Sequence, residues 1–208
     1  GDVQWIEVPV DPSDPEMTYG SRDDRDMVMD KVLEDLNFAC QYIQKGSKTT
    51  WSKDMANAMK ADICLWEGTF CKYRTADENG KAADATRAEK FLKECVTACE
   101  NVMNAGYTLS DDYQAIYNSV SLSDNPEIIF FKEYKKDLFY HSLISYTCSS
   151  TQISGMTKDA FDAYLFKDGK PLALTSENKS DVGEVDADGN YSIAKLLEVR
   201  DARLAKTI

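Results

Sequence analysis

The sequence predicts a mostly α-helical fold, with tetratricopeptide-like helix pairs, long loops and a few short β-strands. Three stretches, 25–43, 52–73 and 84–104, repeat apolar residues at the spacing of three and four that is typical of amphipathic helices. Gly46 and Gly80 fall between them, where helices end and loops begin. Because an amphipathic helix depends on a partner that covers its apolar side, we expect the three helices to pack against one another.

The third helix has the most regular pattern. Its predicted buried positions are Ala88, Leu92, Cys95, Cys99 and Val102, with Phe91, Val96 and Met103 beside them. Thr86 and Glu89 have the spacing of a capping box, which predicts the start of the helix. Gly106 can adopt the left-handed conformation that closes a last helical turn.

The first two helices are predicted by similar signals. A capping signature, Ser21-x-x-Asp24, precedes the first, whose predicted apolar positions are Val28, Val32, Leu33, Leu36, Ala39, Cys40 and Ile43. The predicted stripe of the second is Ala56, Met59, Ile63, Trp66, Phe70 and Tyr73. We therefore expect Trp66 and Phe70 in the core. Trp51, just before the second helix, is interpreted as a packing residue at the helix start rather than a ligand-binding ring.

We interpret the chain as one domain with three parts. Residues 1–20 form an extended lead-in, 21–117 a helical scaffold, and 118–208 a loop-rich part. In the last part, 125–131 is an apolar run with strand propensity, and 158–166 is consistent with one short helix.

Composition and charge exclude some classes of function. The 208 residues are 43% hydrophobic and 29% charged, which is ordinary for a globular protein able to bury a core. The net charge of −12 argues against nucleic acid as a partner, because phosphates would be repelled. No stretch has the roughly 20 apolar residues of a membrane span, and the sequence does not start with a signal-peptide pattern.

The sequence predicts neither a metal nor a cofactor. Five of the six cysteines lie on or beside helical apolar stripes, where a free cysteine behaves as a small hydrophobe, and none forms a C-x-x-C pair. His141 is the only histidine and lies in a different segment. The stretch 184–189 copies the first half of an EF-hand loop, but Lys195 occupies the position of the bidentate glutamate, so a polar turn is preferred to a calcium site.

No catalytic residue is predicted. The sequence lacks a phosphate-binding loop, a G-x-S-x-G nucleophile motif and an H-E-x-x-H zinc motif. Arg200, Asp201 and Arg203 form a charged group without a nearby nucleophile. We interpret them as an internal ion-pair and hydrogen-bond clamp that orients a loop, in preference to an anion site.

Five segments occur in an order that suggests a family. They are Arg22 before a helix with Asp35-Leu36-Asn37-x-Ala39; Ala58-Met-Lys-Ala61 with Leu65; Val102-Met-Asn-Ala-Gly106-Tyr-x-Leu109; Asn125-x-Glu127-Ile-Ile-Phe130; and Arg200-Asp-x-Arg203-Leu-x-x-Thr207-Ile208. Each is weak alone, but together they resemble the SusD-like (RagB/SusD) family of Bacteroidetes outer-membrane glycan-binding lipoproteins. Ala202 departs from the proline that is common in this family.

The resemblance implies a fold, a function and partners. Members of the family are longer, so the chain would correspond to the central part of such a protein. It would bind oligosaccharide or polysaccharide at the cell surface without catalysis, for import through a SusC-like TonB-dependent outer-membrane transporter. Contact with the outer membrane would come only from a lipid anchor that lies outside this chain. The part 118–208 would face the ligand.

The segment 138–152 offers candidate glycan contacts. Flat aromatic faces and short polar side chains suit a sugar, because a rigid ring buries a large area with little loss of entropy. The predicted contacts are Phe139, Tyr140, His141, Tyr146 and Gln152. Packing of these rings against the helical scaffold is an open alternative for each of them.

Two other functions are considered. One is a tetratricopeptide-like scaffold that binds protein and has no sugar site. The other is a glycoside hydrolase, which needs two carboxylates about 5 to 10 Å apart in a cleft. With 36 acidic residues some pair will meet that distance by chance, so we predict a binding protein and not an enzyme.

Overall fold

The structure is a computed structural model that describes residues 3–135, 137–147, 154–176 and 192–208. About half of it is helical, which confirms the predicted mostly-α class. The helices within the described residues are α1 (Pro15–Tyr19), α2 (Arg25–Tyr42), α3 (Lys53–Tyr73), α4 (Ala85–Met103), α5 (Tyr113–Asn118), α6 (Leu143–Thr147), α7 (Lys158–Asp162), α8 (Ile193–Val199) and α9 (Ala202–Thr207).

The chain divides into two compact units. The first comprises Gly1–Leu109 and Ser123–Lys132, and it contains the three long helices. The second comprises Ser110–Leu122 and Glu133–Ile208, and it contains the short helices α5 to α9.

Each long helix begins at a polar side chain that caps it. The carboxylates of Asp24 and Asp84 and the hydroxyl of Ser52 accept hydrogen bonds from free N–H groups in the first turns of α2, α4 and α3. The capping box predicted at Thr86 is therefore wrong, because Asp84 already fills that role by accepting the N–H of Arg87 (2.9 Å). Gly106 has the left-handed conformation that the sequence predicts, with φ of +94°.

The three long helices of the first unit pack together, as predicted. Helix α3 lies between the other two and contacts both. Their shared core contains Leu33 from α2, Cys64 from α3, and Phe91 and Cys95 from α4. Phe91 has no solvent-exposed surface. Burial of these side chains provides the hydrophobic stabilisation of the unit.

The buried face of α3 is not the face that the sequence predicts. Its buried residues are Ala56, Asn57, Lys60, Cys64, Glu67, Gly68 and Cys71. Trp66 is 57% exposed and Phe70 is only partly buried, so the prediction that Trp66 belongs to the core is wrong. The buried polar side chains are tolerated because they have partners on other helices.

Three pairs of side chains satisfy the polar face of α3. The amide of Asn101 donates to the side-chain oxygen of Asn57 (3.0 Å). The ammonium group of Lys60 donates to the carboxylate of Glu94 (2.5 Å). The guanidinium group of Arg25, at the start of α2, forms two hydrogen bonds with Glu67, and the Nη1–Oε1 distance is 2.9 Å. Hydrogen bonds therefore join α3 to both of its neighbours.

Helix α4 is also rotated relative to the prediction. Its buried residues are Ala88, Phe91, Cys95 and Ala98, while Leu92 and Val102 are partly buried. Cys99, which the predicted stripe included, is exposed. The face that carries Phe91 turns inward, where this ring shares a core cluster with Leu33 of α2 and Cys64 of α3.

The predicted strand at 125–131 does not form. Pro126 lacks an N–H group, and the segment makes single hydrogen bonds to loops instead of a ladder. Its contacts include Phe131 N to Lys48 O (2.8 Å) and Thr108 N to Pro126 O (3.3 Å). In the described part of the chain, β-structure is limited to two isolated bridges.

The second unit has a small core of its own. Phe166 and Leu196 are buried in it, and Phe161, Leu172 and Val199 pack against them. An antiparallel bridge joins Phe166 to Arg200. The helix predicted at 158–166 is shorter than expected, because α7 ends at Asp162 and the chain then enters the bridge.

We predict that Gly68→Ala destabilises the first unit. A Cβ atom at Gly68 would lie 2.7 Å from Cγ and 3.2 Å from the backbone nitrogen of Leu92 on α4. Overpacking of this kind costs about 1–3 kcal/mol, which outweighs the ~1 kcal/mol that helix propensity would contribute. The free energy of unfolding in urea measures the effect. Gly155→Ala is the control, because a Cβ there would have no atom of another described residue, apart from its two chain neighbours, within 4 Å. Equal stability of the two variants would contradict the prediction.

Candidate functional site

A tight turn in the second unit presents aromatic rings. Lys135 and Phe139 exchange two backbone hydrogen bonds of 2.9 Å each, which form an antiparallel bridge. Asp137, inside this turn, has a φ of +65°. Aspartate tolerates this left-handed conformation better than most residues, so the local sequence suits the turn.

The turn brings together three rings, Tyr134, Phe139 and His141, which we call the hairpin aromatics. The rings of Tyr134 and Phe139 are nearly parallel, with an angle of 5° and a centroid distance of 5.4 Å. The His141 ring lies edge-on to Tyr134 at 4.6 Å. Its Nδ1 accepts a hydrogen bond from the N–H of Leu143 (3.2 Å), so in the neutral imidazole the proton is on Nε2. The hairpin aromatics thus combine flat apolar faces with a hydrogen-bond donor.

Four of the five predicted contact residues lie within the described part of the chain. Phe139 is 47% exposed and Tyr140 is 78% exposed, on the same turn as His141. Tyr146 lies on the short helix α6 and is also exposed. Gln152 lies outside the described residues. These rings are exposed and do not belong to a core, and their contact with a glycan stays a prediction.

The sequence interpretation missed Tyr134. This residue precedes the segment in which the candidates were sought, and it lies five positions from Phe139. Only the bridge between Lys135 and Phe139 places the two rings side by side. In the sequence, an aromatic residue on each side of a short polar turn is the signal that could have predicted the pair Tyr134–Phe139.

Of the three residues in the predicted internal clamp, Arg200 takes that role, whereas the Arg203 side chain is 62% exposed and pairs with Asp201 (2.6 Å) at the surface. Arg200 is buried, and its Nη1 donates to the carbonyl oxygens of Tyr164 (2.7 Å) and Asp162 (3.3 Å). Its guanidinium carbon lies 5.2 Å from the ring centre of Phe161 and 4.6 Å from that of Phe166. The guanidinium group therefore joins the end of α8 to the end of α7 and the residues after it, and it is not available to a ligand.

Asp168 organises the loop before the clamp. Its carboxylate accepts hydrogen bonds from the backbone N–H of Ser176 (2.8 Å) and from the hydroxyl groups of Thr175 (2.9 Å) and Ser176 (3.0 Å). These hydrogen bonds favour the charged form and lower the pKa of Asp168 to about 2. Gly169 follows with a φ of +75°, which completes the turn.

Of the described cysteines, Cys64, Cys71 and Cys95 are buried, Cys40 is partly buried and Cys99 is exposed. Cys64 and Cys71 are fully buried, and burial raises the pKa of the Cys64 thiol to about 11. A thiol with such a pKa is not a nucleophile at neutral pH. Among the residues that the structure describes, no group of three or more His, Cys, Asp or Glu side chains could hold a metal ion. The stretch 184–189 lies outside those residues.

Comparison with known proteins adds no relative. No family model matches the chain, and searches of curated proteins and of solved structures find no match. Within the described ranges, no helix has both the length and the apolar character needed to span a membrane.

The pKa of Asp168 predicts a dependence of stability on pH. Because it falls from an ordinary 3.8 to about 2, this carboxylate stabilises the fold above pH 3.8, and the contribution disappears as the pH falls towards 2. Carboxyl NMR titration of the folded protein should give Asp168 a midpoint near 2. In thermal melts, Asp168→Asn should lose less stability than the wild type between pH 4 and about 2. A midpoint at the ordinary value would contradict the hydrogen bonding described here.

Proposed function

We propose that the chain is part of a SusD-like glycan-binding protein. In this proposal it binds oligosaccharide or polysaccharide at the cell surface, breaks no bonds, and passes the glycan to a SusC-like TonB-dependent transporter in the outer membrane. Three things support the proposal: the order of the five resembling segments, the mostly helical fold, and the exposed hairpin aromatics.

The observation that carries the proposal is the parallel pair of Tyr134 and Phe139 on a hydrogen-bonded turn. The C–H face of a pyranose ring is flat and apolar, and it matches an exposed aromatic ring. Because the turn is fixed by two backbone hydrogen bonds, little conformational entropy is lost when a sugar binds. This combination of a rigid ring and low entropic cost is what sugar recognition requires.

Polar groups beside the rings provide contacts for sugar hydroxyl groups. His141 offers Nε2–H, since its Nδ1 already accepts from Leu143. The hydroxyl group of Tyr140 lies on a side chain that is 78% exposed. A few hydrogen-bonding groups around an apolar surface give orientation and specificity to a small-molecule site.

A specific observation also favours the second candidate, a tetratricopeptide-like protein-interaction scaffold. The long helices expose apolar side chains on their outer faces: Phe38, Tyr42, Leu65, Trp66, Tyr73, Val96 and Met103. A groove of about 620 Å³ on α3 and α4 is lined by Lys72, Leu92 and Val96, among others. Exposed apolar patches of this kind mark interaction surfaces in soluble proteins. A lipid-attachment cysteine and a neighbouring transporter gene would favour the first candidate.

We predict that the double variant Phe139→Ala/Tyr140→Ala loses glycan affinity. Loss of a stacking ring and a polar contact should raise the dissociation constant at least about tenfold, the equivalent of 1.4 kcal/mol. Affinity gel electrophoresis against a panel of polysaccharides, followed by calorimetry on the retained ones, measures the change.

Tyr19→Ala is the matched control for that experiment. Tyr19 is an 85% exposed tyrosine of the first unit, so its substitution removes an aromatic ring that is not one of the hairpin aromatics. Its variant should bind as the wild type does. Retardation of the wild type by no polysaccharide, or equal retardation of the double variant, would contradict the proposed function.

A further inference from the structure

The first unit exposes a separate aromatic pair. Trp51, predicted to pack at the start of α3, is instead 64% exposed, so that prediction is wrong. Its ring lies beside that of Phe130, with a centroid distance of 6.2 Å and an angle of 28°. Phe130 is itself 38% exposed. Two large apolar rings thus face solvent together, and we call them the Trp51–Phe130 pair.

The loops that carry this pair are fixed by hydrogen bonds. Ser47 N donates to Thr50 Oγ1 (3.0 Å), and Thr50 N donates to Ser47 O (3.2 Å), which closes a turn just before Trp51. The backbone carbonyl group of Lys48 accepts a hydrogen bond from the N–H of Phe131 (2.8 Å). The ammonium group of Lys48 donates a hydrogen bond to the carbonyl oxygen of Asn125 (2.5 Å). The two loops are therefore joined on both sides of the ring pair. A preorganised surface of this kind binds a ligand at low entropic cost.

The loop before α3 is basic in an acidic protein. The loop 43–52 contains Lys45 and Lys48, and Lys53 is the first residue of α3; this stretch has no aspartate or glutamate before Asp54, although the whole chain carries a net charge of −12. Lys53 N donates to Gln44 O (3.3 Å), which brings the two ends of the loop together. In the part of the chain that the structure describes, neither Lys45 nor Lys53 forms an ion pair. Their ammonium groups can accordingly attract an anion.

We propose that the Trp51–Phe130 pair binds a sugar ring that carries an anionic group, either the carboxylate of a uronic acid or a sulfate ester. The inference rests on the proposed glycan-binding function for its class of ligand. The apolar face of the sugar stacks on Trp51, and Lys45 or Lys53 attracts the anionic group.

The stacked pair Trp66–Phe70 on α3 does not offer the same surface. Its rings are parallel within 4°, but the guanidinium group of Arg25 lies 4.2 Å from the centre of the Phe70 ring. The guanidinium group of Arg74 is 5.1 Å from the same ring. Cations of the protein itself thus occupy the place that a sugar would take. For the Trp51–Phe130 pair, no such cation is found within the described residues.

The test compares three probes on four proteins. The probes are a galacturonic acid trisaccharide, a sulfated carrageenan tetrasaccharide and neutral maltotriose. The proteins are the wild type, Trp51→Ala, the double variant Lys45→Ala/Lys53→Ala, and Trp66→Ala as an exposed-tryptophan control. Calorimetry at low and high salt gives each dissociation constant, and circular dichroism verifies that each variant is folded.

The inference predicts a defined pattern. Trp51→Ala should weaken binding of at least one anionic probe about tenfold or more. The lysine double variant should weaken the same probe and remove most of its salt dependence, because screening acts on exposed charges. Trp66→Ala should bind as the wild type does. The probe that loses affinity in these variants identifies the anionic group, either the carboxylate of the uronic acid or the sulfate ester.

Other results would overturn the inference. Unchanged affinity of Trp51→Ala for every probe that the wild type binds would remove the Trp51–Phe130 site and leave the proposed function intact. If the wild type binds maltotriose more tightly than both anionic probes, the site does not select an anionic sugar and the inference is wrong. Failure of the wild type to bind any glycan would contradict the proposed function together with the inference.

Discussion

Glu67, on the middle helix of the first unit, has no solvent-exposed surface, and the rest of that unit depends on how its charge is compensated. An unpaired carboxylate in such a place would cost several kcal/mol. Arg25 provides both hydrogen bonds of a bidentate pair, and the thiol of Cys71 donates a third to Oε1 (3.2 Å). The start of α2 must therefore lie against the second half of α3.

The same charge network extends to α4. Asp26, next to Arg25, lies within ion-pair distance of Arg74 (3.8 Å) and of Arg87 (3.5 Å), the latter on α4. Arg87 also pairs with Asp30 on α2 (3.0 Å). Ion pairs and hydrogen bonds thus fix how the three helices meet at one end, while Leu33, Phe91 and their neighbours fill the core. With its charged face directed inward, α3 directs Trp66 outward, which explains why this protein exposes a tryptophan on a long helix.

Local sequence signals predicted where the long helices lie in the sequence, but not which face of each helix is buried. The bounds of α2, α3 and α4 follow from capping side chains and from the helical period, which act within a few residues. The buried face of α3 depends on partners more than thirty residues away, such as Arg25 for Glu67. The pattern of apolar residues assigns Glu67 to the surface and Trp66 to the core, because this local pattern contains no information about an ion pair between residues far apart in the sequence. The predicted strand at 125–131 does not form for a similar reason, since the described part of the chain has no neighbouring strand that could pair with it.

The candidate site was predictable in part. Aromatic composition outside any helical stripe identified Phe139, Tyr140 and His141. The contribution of Tyr134 depends on the turn at Asp137. That of Phe130 depends on its contact with Trp51, 79 residues earlier in the chain. Both pairs arise from the three-dimensional placement of loops, which composition alone does not reveal.

The inward orientation of Glu67 is tested most directly by comparing it with its neighbour, Trp66. Urea denaturation gives the free energy of unfolding for Glu67→Ala and Trp66→Ala. Removal of one partner of a buried ion pair should cost about 3–5 kcal/mol in Glu67→Ala, whereas Trp66→Ala, at an exposed position, should cost about 1 kcal/mol or less. The reverse order, with the tryptophan substitution more costly, would show that α3 buries the opposite face and would contradict the account.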